Sequence, residues 1–377
     1  MSGISTPSAA EEFKSLPLSV PRPATGEDLP AVVAMLDTVF SSAGRSAGIG
    51  KAFSFVYSPE NAANILVVTC GDQVVSALSL WPNEVQLGQA RLRVAGINCV
   101  ATHPDFRRHG LATHLMRAAI KRMAALNCHL GIVSATVPNW YRRNGWELAG
   151  RMRTYQFNRG NITMLPKLPD QLYIEGPTET SLDEALAIYS QLNLGAIRTG
   201  PAFRRLLASR YVSDVLVART ADHGVAYLLA AGQRVVEWGG PPTVVAGLVR
   251  TWFSRLDDNG GPKHAVPGPS ATDSVSLVAP PEGHGLIKML DEMCIPCSIN
   301  YARMMLPLDP HGILRAFGLR DITVREATGA FTFTSRTQEV TVDRGAMTKL
   351  LFGPERVTDF ATDLFPLPFW QWPLDCV

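Results

Sequence analysis

The pattern of apolar and polar residues predicts alternating helices and strands over residues 18–160. Apolar side chains recur at helical spacing in residues 29–40 and again in residues 110–127. Residues 65–69 and 74–81 are apolar runs on either side of Gly71 and Asp72, which predicts two strands joined by a hairpin turn. Further strands are predicted at residues 91–100 and 131–135. This order of elements indicates an α/β unit in which helices cover a mixed sheet.

A second unit with the same order of elements is predicted for residues 161–297. It follows a proline-containing linker that begins near Gly160. Ser181 and Glu184 have the spacing of a capping box, so we expect a helix to begin at Ser181 and to end near Leu194. Strands are predicted at residues 215–219, 224–231 and 233–238, and a helix at residues 243–256. The order of elements repeats the first unit, although the two sequences differ.

Residues 298–377 form a third predicted unit with a strand, a helix and a set of alternating strands around Phe331 and Val340. Its last segment, residues 364–377, is rich in aromatic residues and proline. A solvated tail would not normally be so apolar, so we expect this segment to be buried. The opposite end of the chain, residues 1–17, is small and polar and is predicted to be a flexible tail.

Composition and charge narrow the classes of function. The chain has 377 residues, of which 46% are hydrophobic and 18% are charged, and its net charge is +2. This length allows two or three domains, and the near-neutral charge favours neither a nucleic-acid nor a membrane partner. The sequence lacks the apolar runs of a membrane span or a secretion signal. Six scattered cysteines fit reduced thiols, so we expect a cytoplasmic protein without a metal site.

The most specific motif lies between a predicted strand and a predicted helix, in residues 97–112. Arg107, Gly110 and Ala112 form the pattern Arg-x-x-Gly-x-Ala. The backbone amides of such a loop and the dipole at the start of the helix attract a pyrophosphate. Gly110 and Ala112 leave room for phosphates to approach, and Arg107 and Arg108 add positive charge.

This stretch resembles motif A of the GNAT acetyltransferases, in which the loop amides hold the diphosphate of acetyl-CoA. Residues 139–146, Asn-Trp-Tyr-Arg-Arg-Asn-Gly-Trp, resemble motif B, whose tyrosine commonly protonates the leaving thiolate. The three units together are similar to the Eis-like (enhanced intracellular survival) acetyltransferases. That resemblance implies a catalytic GNAT domain at residues 18–160, a degenerate GNAT-like domain at 161–297, and a sterol-carrier-protein-like α/β domain at 298–377.

The resemblance implies an acetyl-CoA-dependent N-acetyltransferase with Tyr141 as the general acid. The alternative for Tyr141 is a packed aromatic ring with its hydroxyl at the surface. The amide near Val100 is the implied donor to the thioester carbonyl. The residues implied to bind acetyl-CoA are Val100, Ala101, Thr102, Arg107, Arg108, His109, Gly110, Leu111, Ala112, Thr113 and Thr136. In the second unit, Pro241 and Pro242 stand where this loop would be, and proline has no N–H to donate. We therefore expect one active site per chain.

The general base is harder to place, because residues 94–102 contain no carboxylate. The Eis-like resemblance implies that the C-terminal carboxylate of the chain, on Val377, returns to the active site and takes the proton. The resemblance is incomplete here, because the Eis-like chain ends in an aromatic residue rather than in valine. The alternative for Val377 is an end residue without a catalytic role. Asp375 is either an attractor for a cationic amine or a solvated charge. Phe40 and Trp81 either line an amine pocket or belong to the core.

The implied reaction is direct attack of a primary amine on acetyl-CoA in a ternary complex. The acceptor would be a small polycation, an aminoglycoside-like compound or an exposed lysine. The resemblance also implies a homo-oligomer, such as a hexamer of two trimers. Two other functions stay open: a non-catalytic acyl-CoA-binding or regulatory protein, and a lipid-carrying role for the third unit.

Overall fold

A computed structural model of the chain describes residues 17–42, 48–208, 212–258 and 274–376. Its helices are α1 (Leu29–Ser42), α2 (Ile49–Ala52), α3 (Leu111–Ala125), α4 (Pro138–Arg142), α5 (Glu179–Gln191), α6 (Gly200–Leu207), α7 (Pro242–Asp258), α8 (Gly285–Glu292), α9 (Pro310–Ala316) and α10 (Arg344–Phe352). Its strands are β1 (Arg22–Pro23), β2 (Ile65–Cys70), β3 (Gln73–Leu87), β4 (Ala90–Thr102), β5 (Leu130–Val133), β6 (Glu147–Asn158), β7 (Tyr173–Glu175), β8 (Leu194–Ala196), β9 (Asp214–Arg219), β10 (Gly224–Ala231), β11 (Arg234–Gly239), β12 (Ser274–Ala279), β13 (Cys297–Pro307), β14 (Thr323–Ala327), β15 (Ala330–Thr334) and β16 (Glu339–Asp343).

The chain divides into two compact units. The first holds Met1–Trp81 and Ala95–Asn127, and the second holds Pro82–Val94 and Cys128–Val377. None of the helices in the described residues combines the length and the apolarity that a bilayer span requires. All six cysteines of the chain are free thiols.

In the first unit, β1, β2, β3 and β4 follow one another in the sheet. Strands β2 and β3 are antiparallel, with Ile65 opposite Ser79, and Gly71 closes their turn with a φ of 55°. Helices α1 and α3 bury the apolar faces that the periodicity predicted, including Leu36 in α1 and Leu115 in α3. The two helices and the hairpin of the first unit were therefore predicted correctly.

Asp28 stabilises the start of α1 through its carboxylate. Its carboxylate accepts hydrogen bonds from the Thr25 amide at 2.7 Å and from the Arg22 guanidinium at 2.7 and 2.9 Å. The Thr25 hydroxyl donates to the same carboxylate rather than capping the helix. The bond from Arg22, more than the bonds from Thr25, holds the pKa of Asp28 well below its usual range. Asp28 therefore stays ionised and ties β1 to α1.

The second unit contains the larger part of the sheet, in the order β5, β13, β6, β12, β11, β10, β9, β7. Strand β13 is antiparallel to both of its neighbours, with Met305 opposite Ile132 and Met304 opposite Leu148. The sequence pattern places this strand in the third predicted unit. Its place between β5 and β6 is a long-range pairing that no local pattern indicates.

Helix α5 begins one turn earlier than predicted. Thr178 is its N-cap: the Thr178 hydroxyl accepts from the Ser181 amide, and the Ser181 hydroxyl accepts from the Thr178 amide. The capping box predicted at Ser181 and Glu184 was therefore wrong, because Ser181 is the third helical residue of the box that begins at Thr178.

Strands β14, β15 and β16 form a separate antiparallel sheet. Phe331 and Phe333 of β15 are buried under this sheet. Most of the described residues in the segment 364–377 are buried, which confirms the prediction for this tail, although Leu364 is 42% exposed. Its buried apolar residues are Phe365, Leu367, Phe369, Trp370, Trp372 and Leu374. The likeness of this region to a sterol-carrier protein stays a prediction.

Candidate active site

The loop between β4 and α3 has the backbone shape of an anion site. Arg108 and Gly110 are left-handed, with φ of 68° and 76°, and the residue between them is not. Residues of alternating hand turn successive N–H groups towards the same side, which forms a concavity that attracts anions. Gly110 is the N-cap of α3.

The start of α3 offers further donors. Within the described residues no side chain caps this end of the helix. The Gly110 carbonyl accepts from the amides of Thr113 and His114, each at 3.0 Å. The amides of Leu111 and Ala112, at the first two helical positions, have no carbonyl partner in a helix and point along its axis. They carry the positive end of the helix dipole towards the loop, where an anion would be stabilised.

The side chains around the loop leave it open and positive. Arg107 and Arg108 are exposed, and Arg107 Nε donates to the Thr102 carbonyl at 3.2 Å. A Cβ built on Gly110 would meet no atom within 4 Å. Gly240, in the loop predicted to correspond to it in residues 161–297, has a φ of 118°, and its Cβ would lie 2.5 Å from that of Ala226. The first loop therefore has room for a ligand, whereas the second is filled by its own chain.

The strand that leads into the loop is irregular where the carbonyl donor was predicted. Cys99 has a φ of 45°, which interrupts the regular course of β4 just before Val100. Ala101 is buried, and the Thr102 hydroxyl shares a hydrogen bond of 2.8 Å with Ser76. An irregularity of this kind removes amides from the regular ladder and can redirect them.

The aromatic residues predicted to line an amine pocket lie in the first unit. Trp81 is half-buried and meets Phe55 edge-on, with ring centroids 5.2 Å apart, and Phe40 is half-buried at the end of α1. Beside them lies a buried polar network that the sequence analysis missed. The Tyr57 hydroxyl donates to Asn98 Oδ1 at 2.8 Å and accepts from the Ser79 hydroxyl at 3.2 Å.

Tyr141 belongs to the second unit, in the short helix α4. It is 7% exposed, and its ring meets Trp140 and Trp146 edge-on, with centroids 4.8 and 6.2 Å away. The Tyr141 carbonyl accepts from the amides of Asn144 and Trp146, which fixes the turn after the helix. Thr136 is exposed in the loop between β5 and α4. The aromatic neighbours hold the Tyr141 ring in one position.

The profile of the Acetyltransferase (GNAT) domain family matches residues 20–149. The chain carries a GNAT acetyltransferase domain. The match includes the loop at residues 107–112 and Tyr141. GNAT acetyltransferases transfer an acyl group from an acyl-CoA to an acceptor, so the protein is an acyltransferase. No curated protein sequence matches the chain.

Solved structures extend the likeness over most of the chain. A GCN5-related N-acetyltransferase from Kribbella flavida is 14% identical with a TM-score of 0.61, over 92% of this chain and 86% of its own. One from Anabaena variabilis is 14% identical with a TM-score of 0.63, over 89% of each chain. Eis1 from Mycobacterium abscessus is 15% identical with a TM-score of 0.59, over 89% of this chain and 90% of its own. The GNAT fold and the likeness to an Eis protein are thereby confirmed.

Outside the GNAT domain, the structure gives Asp375 a partner. Asp375 is 3% exposed, and both of its oxygens accept from Arg198 at 2.7 Å. The same guanidinium binds the buried Glu237. Asp375 therefore already has a cationic partner inside the protein, which it shares with Glu237. Val377, the predicted general base, lies outside the described residues.

Gly110→Ala is expected to weaken acyl-CoA binding by about tenfold or more, because a side chain at this φ strains the loop that presents the amides. Gly71→Ala is the matched control, since Gly71 is also left-handed with open space around its Cβ but lies in the β2–β3 turn. Both changes should lower stability by a similar small amount. Equal acyl-CoA affinities for the two variants, measured by calorimetry, would contradict the role given to the loop.

Proposed function

We propose that the protein transfers the acetyl group of acetyl-CoA to a primary amine. The observation that carries this proposal is the loop at residues 107–112, with its alternating left-handed residues, its uncapped helix start and the open space at Gly110. These features fit a diphosphate, because they combine directed N–H donors with positive charge. The proposed donors are the amides of residues 108–112, supported by Arg107 and Arg108.

The proposed reaction is direct attack of the amine on the thioester in a ternary complex. Acetyl-CoA supplies an activated carbonyl carbon, and the chain orients and polarises it. The Val100 amide, which follows the irregular Cys99, is the proposed donor to the carbonyl oxygen as negative charge develops there. Tyr141 is the proposed general acid for the departing thiolate, because a tyrosine keeps its proton at neutral pH and can donate it. No nucleophilic side chain takes part.

The proposed acceptor is an amine that reaches the half-buried aromatic rings of Phe40 and Trp81. Such rings can hold the alkyl part of an amine and attract its charge. The acceptors to be tested are a diamine, a polyamine, an aminoglycoside and a lysine peptide. Release of free thiol from acetyl-CoA, measured with each in turn, tests the proposal. Tight CoA binding without turnover for any acceptor would favour a non-catalytic acyl-CoA-binding protein.

The proposed general base is the terminal carboxylate on Val377. The support for this role is the resemblance to the Eis-like enzymes, together with the burial of the preceding segment, in which Trp372 is 1% exposed. A carboxylate is ionised at neutral pH and can accept the ammonium proton, directly or through water.

Adding two glycines after Val377 is expected to lower kcat by about 100-fold, because the carboxylate is displaced. The matched control replaces Val377 by phenylalanine, which keeps the carboxylate and should keep most of the activity. Full activity of the extended chain in the thiol-release assay would remove the base role from Val377.

The homo-oligomer and the cytoplasmic location are further parts of this proposal. Light scattering behind a size-exclusion column measures the number of subunits. A mass corresponding to six chains agrees with the Eis-like resemblance, and a monomer at working concentration contradicts it.

A further inference from the structure

Most buried or half-buried arginines of the second unit have a carboxylate partner. Arg198 binds Glu237 and Asp375, and Arg219 binds Glu175 and Glu184. Arg153 binds Asp291. Arg234, Arg250 and Arg303 differ, because no Asp or Glu of the described residues lies within ion-pair distance of them. Arg250 instead donates to the carbonyls of Thr163 and Leu165, whereas Arg234 and Arg303 lack such carbonyl partners. A partly buried guanidinium without an anion is costly, so this pair needs an explanation.

Arg303 connects the end of β5 with the end of the chain. It lies on β13 and is half-buried. Its Nη1 donates to the Ser134 hydroxyl at 2.5 Å, and its Nη2 donates to the Cys376 sulfur. Ser134 begins the loop that contains Thr136 and leads to Tyr141. Arg303 therefore lies beside the loop that contains Thr136 and precedes the helix of Tyr141.

Arg234 is the first residue of β11 and lies beside β6, the strand that pairs with the strand of Arg303. It is half-buried, its Nε is buried without a hydrogen-bond partner, and its Nη2 donates only to the Met152 sulfur, at 3.8 Å. Met152 lies opposite Asn300, three residues before Arg303 on β13. Burial, and after it the positive charge of Arg303, lower the pKa of Arg234. The positive charge of Arg303 thus disfavours the charged form of Arg234.

The neighbouring thiol does not balance these charges. Burial raises the pKa of Cys376, so its sulfur stays protonated at neutral pH in spite of Arg303. Asp375 is adjacent in sequence, but its carboxylate is bound by Arg198. The nearby acidic group is therefore occupied, and the two arginines retain a net positive charge.

We propose that Arg234 and Arg303 together bind a carboxylate beside Cys376. A guanidinium presents a planar fork of N–H donors that matches the two oxygens of a carboxylate, and the bonds are strengthened by charge. The Nε of Arg234, which lacks a partner, is one donor for it. An anion between the two arginines also removes the repulsion between them.

The carboxylate can come from two sources. One is a free acceptor molecule that carries a carboxylate as well as its amine, as amino acids do. This source rests on the proposed function and narrows the acceptor class. The other source is the α-carboxylate of residue 377, one position after Cys376. Two arginines would make that carboxylate a weaker base, so this source would count against the base role proposed for Val377.

The experiment measures the thermal shift that succinate causes, at constant ionic strength and without acetyl-CoA. The proteins are the full chain and the chain extended by two glycines. Succinamide, which has the same shape without charge, is the matched ligand control. A shift with succinate and not succinamide in the full chain indicates a free carboxylate. A shift that appears only in the extended chain indicates that residue 377 fills the site.

The arginines are tested by Arg234→Gln and Arg303→Gln, each of which should abolish the shift or weaken succinate binding about tenfold. Arg336→Gln is the control, because Arg336 is exposed and pairs with Asp321. If a glutamine variant does not fold, crystals of the unchanged proteins soaked in succinate locate the anion directly. The proposal is overturned if neither protein responds to succinate, or if the response survives both substitutions. This experiment measures succinate binding, whereas thiol release measures acetyl transfer. A negative result would therefore overturn the carboxylate site without overturning the proposed acetyl transfer.

Discussion

Replacing Arg198 by methionine is expected to lower the free energy of unfolding by about 3–5 kcal/mol, because it leaves two buried carboxylates without a cation. The Arg198 side chain is 2% exposed, and those of Glu237 and Asp375 are 0% and 2% exposed. Arg198 donates to Glu237 at 2.8 and 2.5 Å and to Asp375 at 2.7 Å. The Tyr227 hydroxyl also donates to Glu237 at 3.0 Å, and the Tyr189 ring lies 4.0 Å from the guanidinium carbon.

The charges in this cluster depend on one another. Burial alone would lower the pKa of Arg198, but the charges of Asp375 and Glu237 raise it well above its ordinary value. Arg198 is therefore always charged. Burial raises the pKa of Glu237 despite the adjacent Arg198. Since Asp375 lies near the end of the chain, we expect the loss of Arg198 to release the tail that follows α10 as well.

Arg204→Met is the matched control for Arg198→Met. Arg204 also binds two carboxylates, those of Glu179 and Asp183, but at the surface. Its loss should cost no more than about 1 kcal/mol. Urea unfolding, followed by circular dichroism, compares the two variants. An equal loss of unfolding free energy in both variants would show that burial does not increase the contribution of the Arg198 cluster to stability. Partial recovery by Glu237→Gln in the Arg198→Met background would identify the uncompensated charge as the cause.

Tyr141→Phe is expected to lower kcat by about 100-fold or more and to leave the affinity for acetyl-CoA almost unchanged. The hydroxyl is the proposed proton donor, and a general acid of this kind contributes a factor of roughly 10²–10⁴. Phenylalanine keeps the edge-on contacts of the ring with Trp140 and Trp146, so the fold around α4 should survive. The comparison therefore separates chemistry from packing.

Tyr173→Phe is the control, because Tyr173 is an exposed tyrosine of β7 in the same unit. It should change neither kcat nor affinity. Thiol release at saturating acetyl-CoA gives kcat, and calorimetry gives the affinity. If Tyr141→Phe leaves kcat unchanged, Tyr141 is not the general acid and serves only in packing. Loss of acetyl-CoA binding without loss of fold would give it a binding role instead.

Local features of the fold were predictable from the sequence. The β2–β3 hairpin follows from two apolar runs around Gly71 and Asp72, and β10 has the predicted bounds of residues 224–231. Strand β3 was predicted to end at Trp81 but continues to Leu87. The apolar residues Val85 and Leu87 alternate with the polar residues Glu84 and Gln86, and this alternation in the sequence is the signal for the extension.

Long-range features were not predictable. Strand β13 pairs with β5, whose residues are about 170 positions earlier in the chain, and no periodicity encodes a partner at that distance. The same holds for the cluster of Arg198, Glu237 and Asp375. Charged residues are ordinarily exposed in folded proteins, and these three are far apart in the sequence. Nothing local therefore indicates that they are buried together.

In the candidate site, the loop at residues 107–112 is predictable from the sequence because a short motif forms it. Arg107, Gly110 and Ala112 lie within six positions, and the glycine is needed where φ is positive. The network of Tyr57, Asn98 and Ser79 was missed, because its members come from three separated segments.

Titration of acetyl-CoA into the protein in a calorimeter tests the central claim most directly. The account predicts saturable binding with one site per chain, because the loop at Gly110 is open and the loop at Gly240 is filled by its own backbone neighbours. It also predicts that CoA without the acetyl group competes for that site, since the diphosphate is the anchored part. The absence of saturable binding by either compound would contradict the account.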